Sequence, residues 1–336
     1  MNDTRLPLPG FVSAHSHAFQ RALRGRGAGG DFWEWRESML AEAERQTAES
    51  VRSGYEATYR EMRSAGYTAV GEFHYLGYAE ALAAVDAARA CGLEIVLLFA
   101  AYERGGIDRF RQGSVAEYLG EVERLRESGA RVGLAPHSVR ACSAAWLVDI
   151  GRHAARENLV LHVHADEQPR EIEDCLAEHG MRPVELLART GCLTPATTVV
   201  HATHACPDEL DLIADAGATV CLCPTTEANL GDGFPPLEGL LERGIRLAIG
   251  SDSNVRIDPL EELRELEGTA RRQVGRREVI PLRDLYAIGS SAGAEALRLD
   301  TWPDVHVDLA HPSLAGVARE DVAAALVFSC SADVFA

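Results

Sequence analysis

His15 and His17 stand two residues apart at the end of a short apolar run, Phe11-Val12-Ser13-Ala14-His15-Ser16-His17. Side chains alternate faces along a strand, so a His-x-His pair there presents both imidazoles on one side. Two neutral imidazoles on one face begin a site for Zn2+ or a similar borderline metal. Polar residues also close five other apolar runs. These are Glu72-Phe73-His74-Tyr75, His137-Ser138-Val139-Arg140, His162-Val163-His164-Ala165-Asp166-Glu167, His201 with His204, and Ser251-Asp252-Ser253. Eight of the twelve histidines fall at these places, whereas solvated histidines would scatter over helices and loops. A lone His-x-His is more often a hydrogen-bonded structural pair. A third histidine and a carboxylate from other runs would turn it into a metal site with room for water, and His164 and Asp252 are the best candidates.

The elements that must position these residues alternate regularly. Strand character covers residues 11–17, 68–74, 94–100, 131–137, 159–165, 198–204, 219–224 and 246–252. Helical spacing fills residues 32–65, 78–91, 115–128, 144–157, 170–190, 207–216 and 237–243, with further helices at 260–273 and 282–297. Glycine often precedes a strand, as at Gly66, Gly92, Gly129, Gly217 and Gly244, which is the helix C-cap expected of a helix-to-strand turn. Eight such alternations predict an α/β fold, a (β/α)8 TIM barrel, whose active site lies at the C-terminal ends of the strands. A doubly wound open sheet fits less well, because no Gly-x-Gly-x-x-Gly follows a strand. The glycine-rich stretch 25–30 reads as a plain mobile loop rather than a phosphate cradle.

Composition narrows the partners. The 336 residues carry 33 Lys+Arg and 51 Asp+Glu, a net charge of −18. Such a surface repels phosphate backbones and anionic membranes, so no nucleic-acid or membrane partner is expected. No run approaches the ~18 apolar residues of a membrane helix, and no secretory signal opens the chain. A cytoplasmic location with reduced cysteines is the expectation. Cys221 and Cys223 read as small buried hydrophobes rather than metal ligands.

Local strings go further. Pro9-Gly10, His15-Ser16-His17-Ala18-Phe19-Gln20-Arg21-Ala22, Phe32-Trp33-Glu34-Trp35-Arg36-Glu37, Glu72-Phe73-His74-Tyr75, Pro136-His137-Ser138-Val139-Arg140 and His164-Ala165-Asp166-Glu167-Gln168 resemble formimidoylglutamate deiminase, the enzyme of bacterial histidine breakdown in the amidohydrolase superfamily. So do Val200-His201-Ala202-Thr203-His204, CPTTEANLGDG at 223–233 and Gly250-Ser251-Asp252-Ser253. The likeness runs from about residue 8 to 272. It implies one zinc ion per chain, held by His15, His17, His164 and Asp252. It also implies catalytic roles for three residues. Glu167 would shuttle protons to the substrate nitrogen, His201 would polarise the group under attack, and Asp252 would take the proton of water. Arg36 and Arg140 match carboxylate-binding positions, and Gln20, Tyr75 and His137 match other substrate contacts. His162 could support the ligands from behind, while His74 and His204 acquire no role.

The implied reaction is hydrolytic deimination of N-formimino-L-glutamate, a small dicarboxylate amidine, to N-formyl-L-glutamate and ammonia. The alternatives are a related deaminase acting on a purine, pterin or guanidino compound, or a metal-binding barrel without activity. The expected domains are a barrel over residues 1–300 and a remnant of a small β domain over 301–336, with strands at 305–309 and 325–328. The leading strands of the β-sandwich usual in the family are expected to be absent, and a homodimer is possible.

Overall fold

The computed structural model describes residues 5–26 and 29–335. Eight parallel strands form one sheet in sequential order: β2 (Phe11–Ser16), β3 (Tyr67–His74), β4 (Glu94–Ala101), β5 (Val132–Pro136), β6 (Leu161–Ala165), β7 (Thr197–His201), β8 (Thr219–Leu222) and β9 (Arg246–Ile249). A further strand, β1 (Arg5–Pro9), precedes them, and β10 (Asp304–Asp308) follows. The sheet curls until its ends meet. Asp252 N–H donates to the His15 carbonyl at 3.1 Å, and His17 N–H donates to the Asp252 carbonyl at 2.8 Å. The barrel therefore closes by backbone pairing between three of the proposed ligand residues themselves, His15 and His17 with Asp252.

Helices pack around the outside: α1 (Phe32–Arg45), α2 (Ala48–Ser64), α3 (Tyr78–Cys91), α4 (Val115–Glu127), α5 (Ala144–Glu157), α6 (Pro169–His179), α7 (Pro183–Arg189), α8 (Pro207–Ala216), α9 (Pro224–Leu230), α10 (Leu237–Glu242), α11 (Pro259–Val274), α12 (Leu282–Gly289) and α13 (Ser291–Ala296). The main core lies between this ring and the outward faces of the strands. The barrel's inside is filled separately by small side chains, Ala14, Val200, Cys221, Cys223, Ala248 and Ala296. Both cysteines thus pack as small hydrophobes, as their strand-like alternation suggests. Among the described residues no helix is long and apolar enough to cross a membrane.

Several expected elements are corrected. The helix expected over 32–65 is two, because Gln46 turns extended and Thr47 caps α2 through a reciprocal bond with Ser50. The helix over 170–190 breaks at Gly180, which is left-handed, and restarts at Pro183. The helix over 282–297 breaks at Ser290. The strand expected at 325–328 is instead part of helix α14 (Val322–Ser329), whose alanines favour a helix. Its Leu326 and Val327 are buried, and Arg264 of α11 donates to the Val327 carbonyl at 2.9 Å. A leading strand is also present: β1 pairs antiparallel with β10, Arg5 opposite Asp308 and Pro9 opposite Asp304. Two proposed loop residues, 27 and 28, lie outside the described residues.

Candidate active site

Four ligand-type side chains from three strand ends converge: His15 and His17 from β2, His164 from β6 and Asp252 just past β9. Nε2 of His15 lies 3.1 Å from Nε2 of His17 and 3.1 Å from Nε2 of His164, and the His17–His164 distance is 3.4 Å. Asp252 Oδ1 completes the group at 3.4 Å from His15 and 3.5 Å from His17. All four residues are buried. The other ring nitrogens are spoken for where the fold provides a carbonyl. His17 Nδ1 meets the Phe73 carbonyl at 2.8 Å, and His164 Nδ1 meets the His137 carbonyl at 2.9 Å. Those bonds place the proton on Nδ1 and leave the Nε2 lone pair free.

Burial and the neighbouring imidazoles hold His15 and His164 well below the ordinary histidine range. Burial takes His17 down to about 4, with Asp252 opposing. All three are neutral near pH 7, so three lone pairs and a carboxylate crowd into one small space. That arrangement repels itself unless a cation lies among them, and imidazole with carboxylate is the donor set of a borderline divalent metal. The residues fit a metal.

The general acid and base candidates flank this group. His201 Nε2 lies 3.6 Å from Glu167 Oε1 and 3.8 Å from Asp252 Oδ2. Burial opposes a charge on His201, yet Glu167, Glu227 and Asp252 together hold its pKa well above the usual value. Burial raises Glu167 to about 7, against the pull of His201 and Arg140. Glu167 is therefore poised to exchange protons near neutrality, beside a His201 whose protonated form is favoured. The backbone at these strand ends is bent: His201, Ala202, Asp166 and Asp252 have φ of 72°, 52°, 56° and 40°. Such left-handed non-glycine residues cluster where a fold aims side chains at a reaction.

A cleft opens over the metal group and is lined by every sequence-proposed substrate residue, Gln20, Arg36, Tyr75, His137 and Arg140. Gln20 Nε2 donates to the Tyr75 hydroxyl at 2.8 Å, which fixes both. The His137 ring stacks on His164 with centroids 4.7 Å apart. Helix α1 covers one side of the mouth, and its Phe32, Trp35, Arg36 and Met39 line the cleft.

The fold does not bring every polar strand end here. His162 is buried and turns to the Ala296 carbonyl at 3.3 Å, so it bonds no ligand. His74 pairs with the Tyr55 hydroxyl at 3.3 Å and the Gly77 carbonyl at 3.3 Å. His204 lines no part of the cleft. Sequence reasoning missed Glu227. This buried carboxylate meets His201 Nδ1 at 3.2 Å and the Cys223 N–H at 2.8 Å. Its position in the first turn of the helix that directly follows β8 was the available signal. It missed Glu171 and Arg104 as well, which hold Arg140 from two sides.

Residues 7–301 match the sequence profile of the amidohydrolase family. The chain belongs to that family. Amidohydrolases are metal-dependent hydrolases acting on C–N bonds, in keeping with the donor set at the barrel mouth. A formimidoylglutamate deiminase of Pseudomonas aeruginosa is 38% identical over 326 residues, spanning 86% of this chain and 72% of that protein. A 5-methylthioadenosine/S-adenosylhomocysteine deaminase of Halobacterium salinarum is 29% identical over 303 residues, 88% of this chain and 69% of that protein. The crystal structure of an amidohydrolase from Brucella melitensis superposes with a TM-score of 0.88 at 31% identity, covering 98% of this chain and 84% of that one.

Proposed function

We propose that this amidohydrolase catalyses hydrolytic deamination, and that its substrate is N-formimino-L-glutamate, converted to N-formyl-L-glutamate and ammonia. The observation that carries the substrate is the pair of guanidinium groups, Arg36 and Arg140, on a cleft that also holds the metal group. In a chain of net charge −18, two arginines at that place suit a dicarboxylate. The similarity to the Pseudomonas aeruginosa deiminase supports the same reading.

His15, His17, His164 and Asp252 would hold one zinc ion. When bound, it supplies a Lewis acid that makes water a nucleophile near pH 7. The chain's own groups do the rest. Arg36 and Arg140 anchor the two carboxylates, with Gln20, Tyr75 and His137 beside the chain between them, and so present the amidine carbon to the metal group. Asp252 takes one proton of the attacking water. His201, through Nε2, polarises the amidine nitrogen and balances the charge that grows in the tetrahedral intermediate. Glu167 carries a proton to the departing nitrogen. The proton taken by Asp252 and the hydroxyl proton released as the carbonyl forms both pass to that nitrogen, the carbon–nitrogen bond breaks, and ammonia leaves with both of water's hydrogens.

A second reading draws on the aromatic wall of the cleft, where Phe32, Trp35, Tyr75 and Tyr102 could stack a purine, and on the adenosine-type deaminase named above. One assay separates them. Zinc-reconstituted protein is given N-formimino-L-glutamate or 5-methylthioadenosine, and ammonia is followed. The dicarboxylate reading expects release from the first only, a KM raised at least tenfold in Arg36→Ala and Arg140→Ala, and no release in Asp252→Asn. Release from the nucleoside, unaffected by either arginine change, would sink it.

A further inference from the structure

Helix α6 starts two residues after Glu167 and reaches back to the segment that carries Arg140. Glu171, in its first turn, is fully buried. One of its oxygens accepts the backbone N–H of Glu167 at 3.3 Å, and the other lies 3.5 Å from Arg140 Nε. Arg140 in turn brings Nη2 to 3.7 Å from Glu167 Oε2. Two turns along the same helix, Glu178 holds both Nη atoms of Arg104 at 2.8 Å. Arg104 then donates through Nε to the Arg140 carbonyl at 3.1 Å and through Nη2 to the Val139 carbonyl at 3.3 Å. One helix therefore fixes Arg140 by side chain and by backbone.

Arg140 has a choice of partners. A buried guanidinium beside one carboxylate closes into a bidentate pair with it. Were Glu167 the only carboxylate within reach, that closure would occupy the edge a substrate needs and would tie up the proton carrier. Glu171 sits on the Nε side and gives Arg140 a second carboxylate there, while its other oxygen pins the backbone of Glu167. We propose that Glu171 is a positioning residue for the deimination: it holds Arg140 by its Nε edge and Glu167 by its N–H, so that the Nη edge of Arg140 faces the substrate carboxylate instead of closing on Glu167. The inference rests on the reading of Arg140 as a carboxylate anchor. It extends that reading to a residue that touches neither the substrate nor the metal group.

The test is a double-mutant cycle on zinc-loaded protein, with Glu171→Gln, Arg140→Ala and the pair together. Each variant is checked for zinc content and melting temperature. Two readouts are taken: steady-state kcat and KM for N-formimino-L-glutamate, and binding of glutarate followed by tryptophan fluorescence. Glu171→Gln is expected to raise KM and weaken glutarate binding about tenfold in the wild-type background, and to change neither by more than about twofold once Arg140 is alanine. Equal losses in both backgrounds would make Glu171 merely structural and overturn the proposal, as would no loss in either. If Glu171→Gln does not fold, Glu171→Asp, which keeps the charge on a shorter arm, runs the same cycle. A wild-type protein that neither releases ammonia from N-formimino-L-glutamate nor binds glutarate overturns the functional reading and this inference with it. One that does both, with an additive cycle, overturns the inference alone.

Discussion

Glu227 Oε1 lies 3.2 Å from His201 Nδ1 and simultaneously accepts the Cys223 N–H. One carboxylate oxygen thus ties the end of β8 to the imidazole at the end of β7. The bond sets the tautomer of His201, so that Nε2 is the nitrogen presented to Glu167 and Asp252. It also favours the protonated ring, which otherwise suffers from burial. This is the geometry of a polarising imidazole oriented by a third group. Glu227→Gln keeps the shape and removes the charge. It is expected to lower kcat about 10- to 100-fold with little change in KM. Steady-state kinetics checks this, and an unchanged kcat would mean that His201 is oriented by something else.

The crowding of three neutral imidazoles and Asp252 predicts how the protein responds to metal. Removal of the ion leaves lone pairs facing one another at 3.1–3.4 Å. The stripped protein is expected to lose ammonia release and to melt at a lower temperature. Zinc at a thousandfold excess over its dissociation constant should restore about 4 kcal/mol of stability. His17→Ala removes one ligand and should lose most of that gain. Differential scanning fluorimetry with and without zinc gives the answer, and a wild-type melting curve indifferent to zinc would argue that the four side chains hold no metal.

The sequence showed the metal group because strand periodicity and strand ends are local properties. His15 and His17 share a face whatever the rest of the chain does, and a barrel gathers strand ends at one mouth. Arg36 was visible only through family likeness, since it sits on helix α1 and no strand pattern places a helix over the mouth. The break between α1 and α2 was hidden because apolar spacing runs on across Gln46 and Thr47, and a cap decides it. The residues 325–328 misled because a short apolar run fits either a strand or a buried helix turn. Glu171 and Glu227 were invisible as functional groups because each acts on a partner brought near only by the closed barrel.

Glu72 makes a prediction about pH. It is fully buried on β3, and Oε1 accepts the Ala18 N–H at 2.7 Å, just past the His-x-His pair. Burial raises its carboxyl from 4.5 to about 8, although the Ala18 bond pulls the other way. Between those values the folded chain keeps a proton that the unfolded chain releases. Its contribution is therefore complete below pH 4.5 and is lost as pH rises through 8, with a slope of at most about 1.4 kcal/mol per pH unit. Glu72→Gln lacks that slope. Relative to wild type, the variant should gain stability as pH rises from 5.5 to 7.5. Urea unfolding of both zinc-loaded proteins at the two pH values measures it, and parallel pH dependences would mean that Glu72 is ionised in the fold.

Gly250 directly follows β9 and precedes Ser251 and Asp252. A Cβ there would meet the His15 carbonyl at 2.8 Å, the His15 Cβ at 2.9 Å and Cys223 Sγ at 3.0 Å. Two of those three atoms belong to a ligand residue, and backbone cannot swing aside as a long side chain can. Gly250→Ala must push β2 away from β9 along the seam where the barrel closes, which moves His15 relative to Asp252. The expected result is a loss of about 1–3 kcal/mol, the scale of overpacking, together with weaker zinc binding. Gly54 is the control. It lies exposed within α2 with nothing inside 4 Å of an added Cβ. Gly54→Ala should stabilise by about 0.5–1 kcal/mol through helix propensity alone and leave zinc binding unchanged. Chemical denaturation with a zinc titration separates the two sites. If Gly250→Ala behaves like Gly54→Ala, the seam has slack, and the spacing of His15 and Asp252 is not set by close packing at β9.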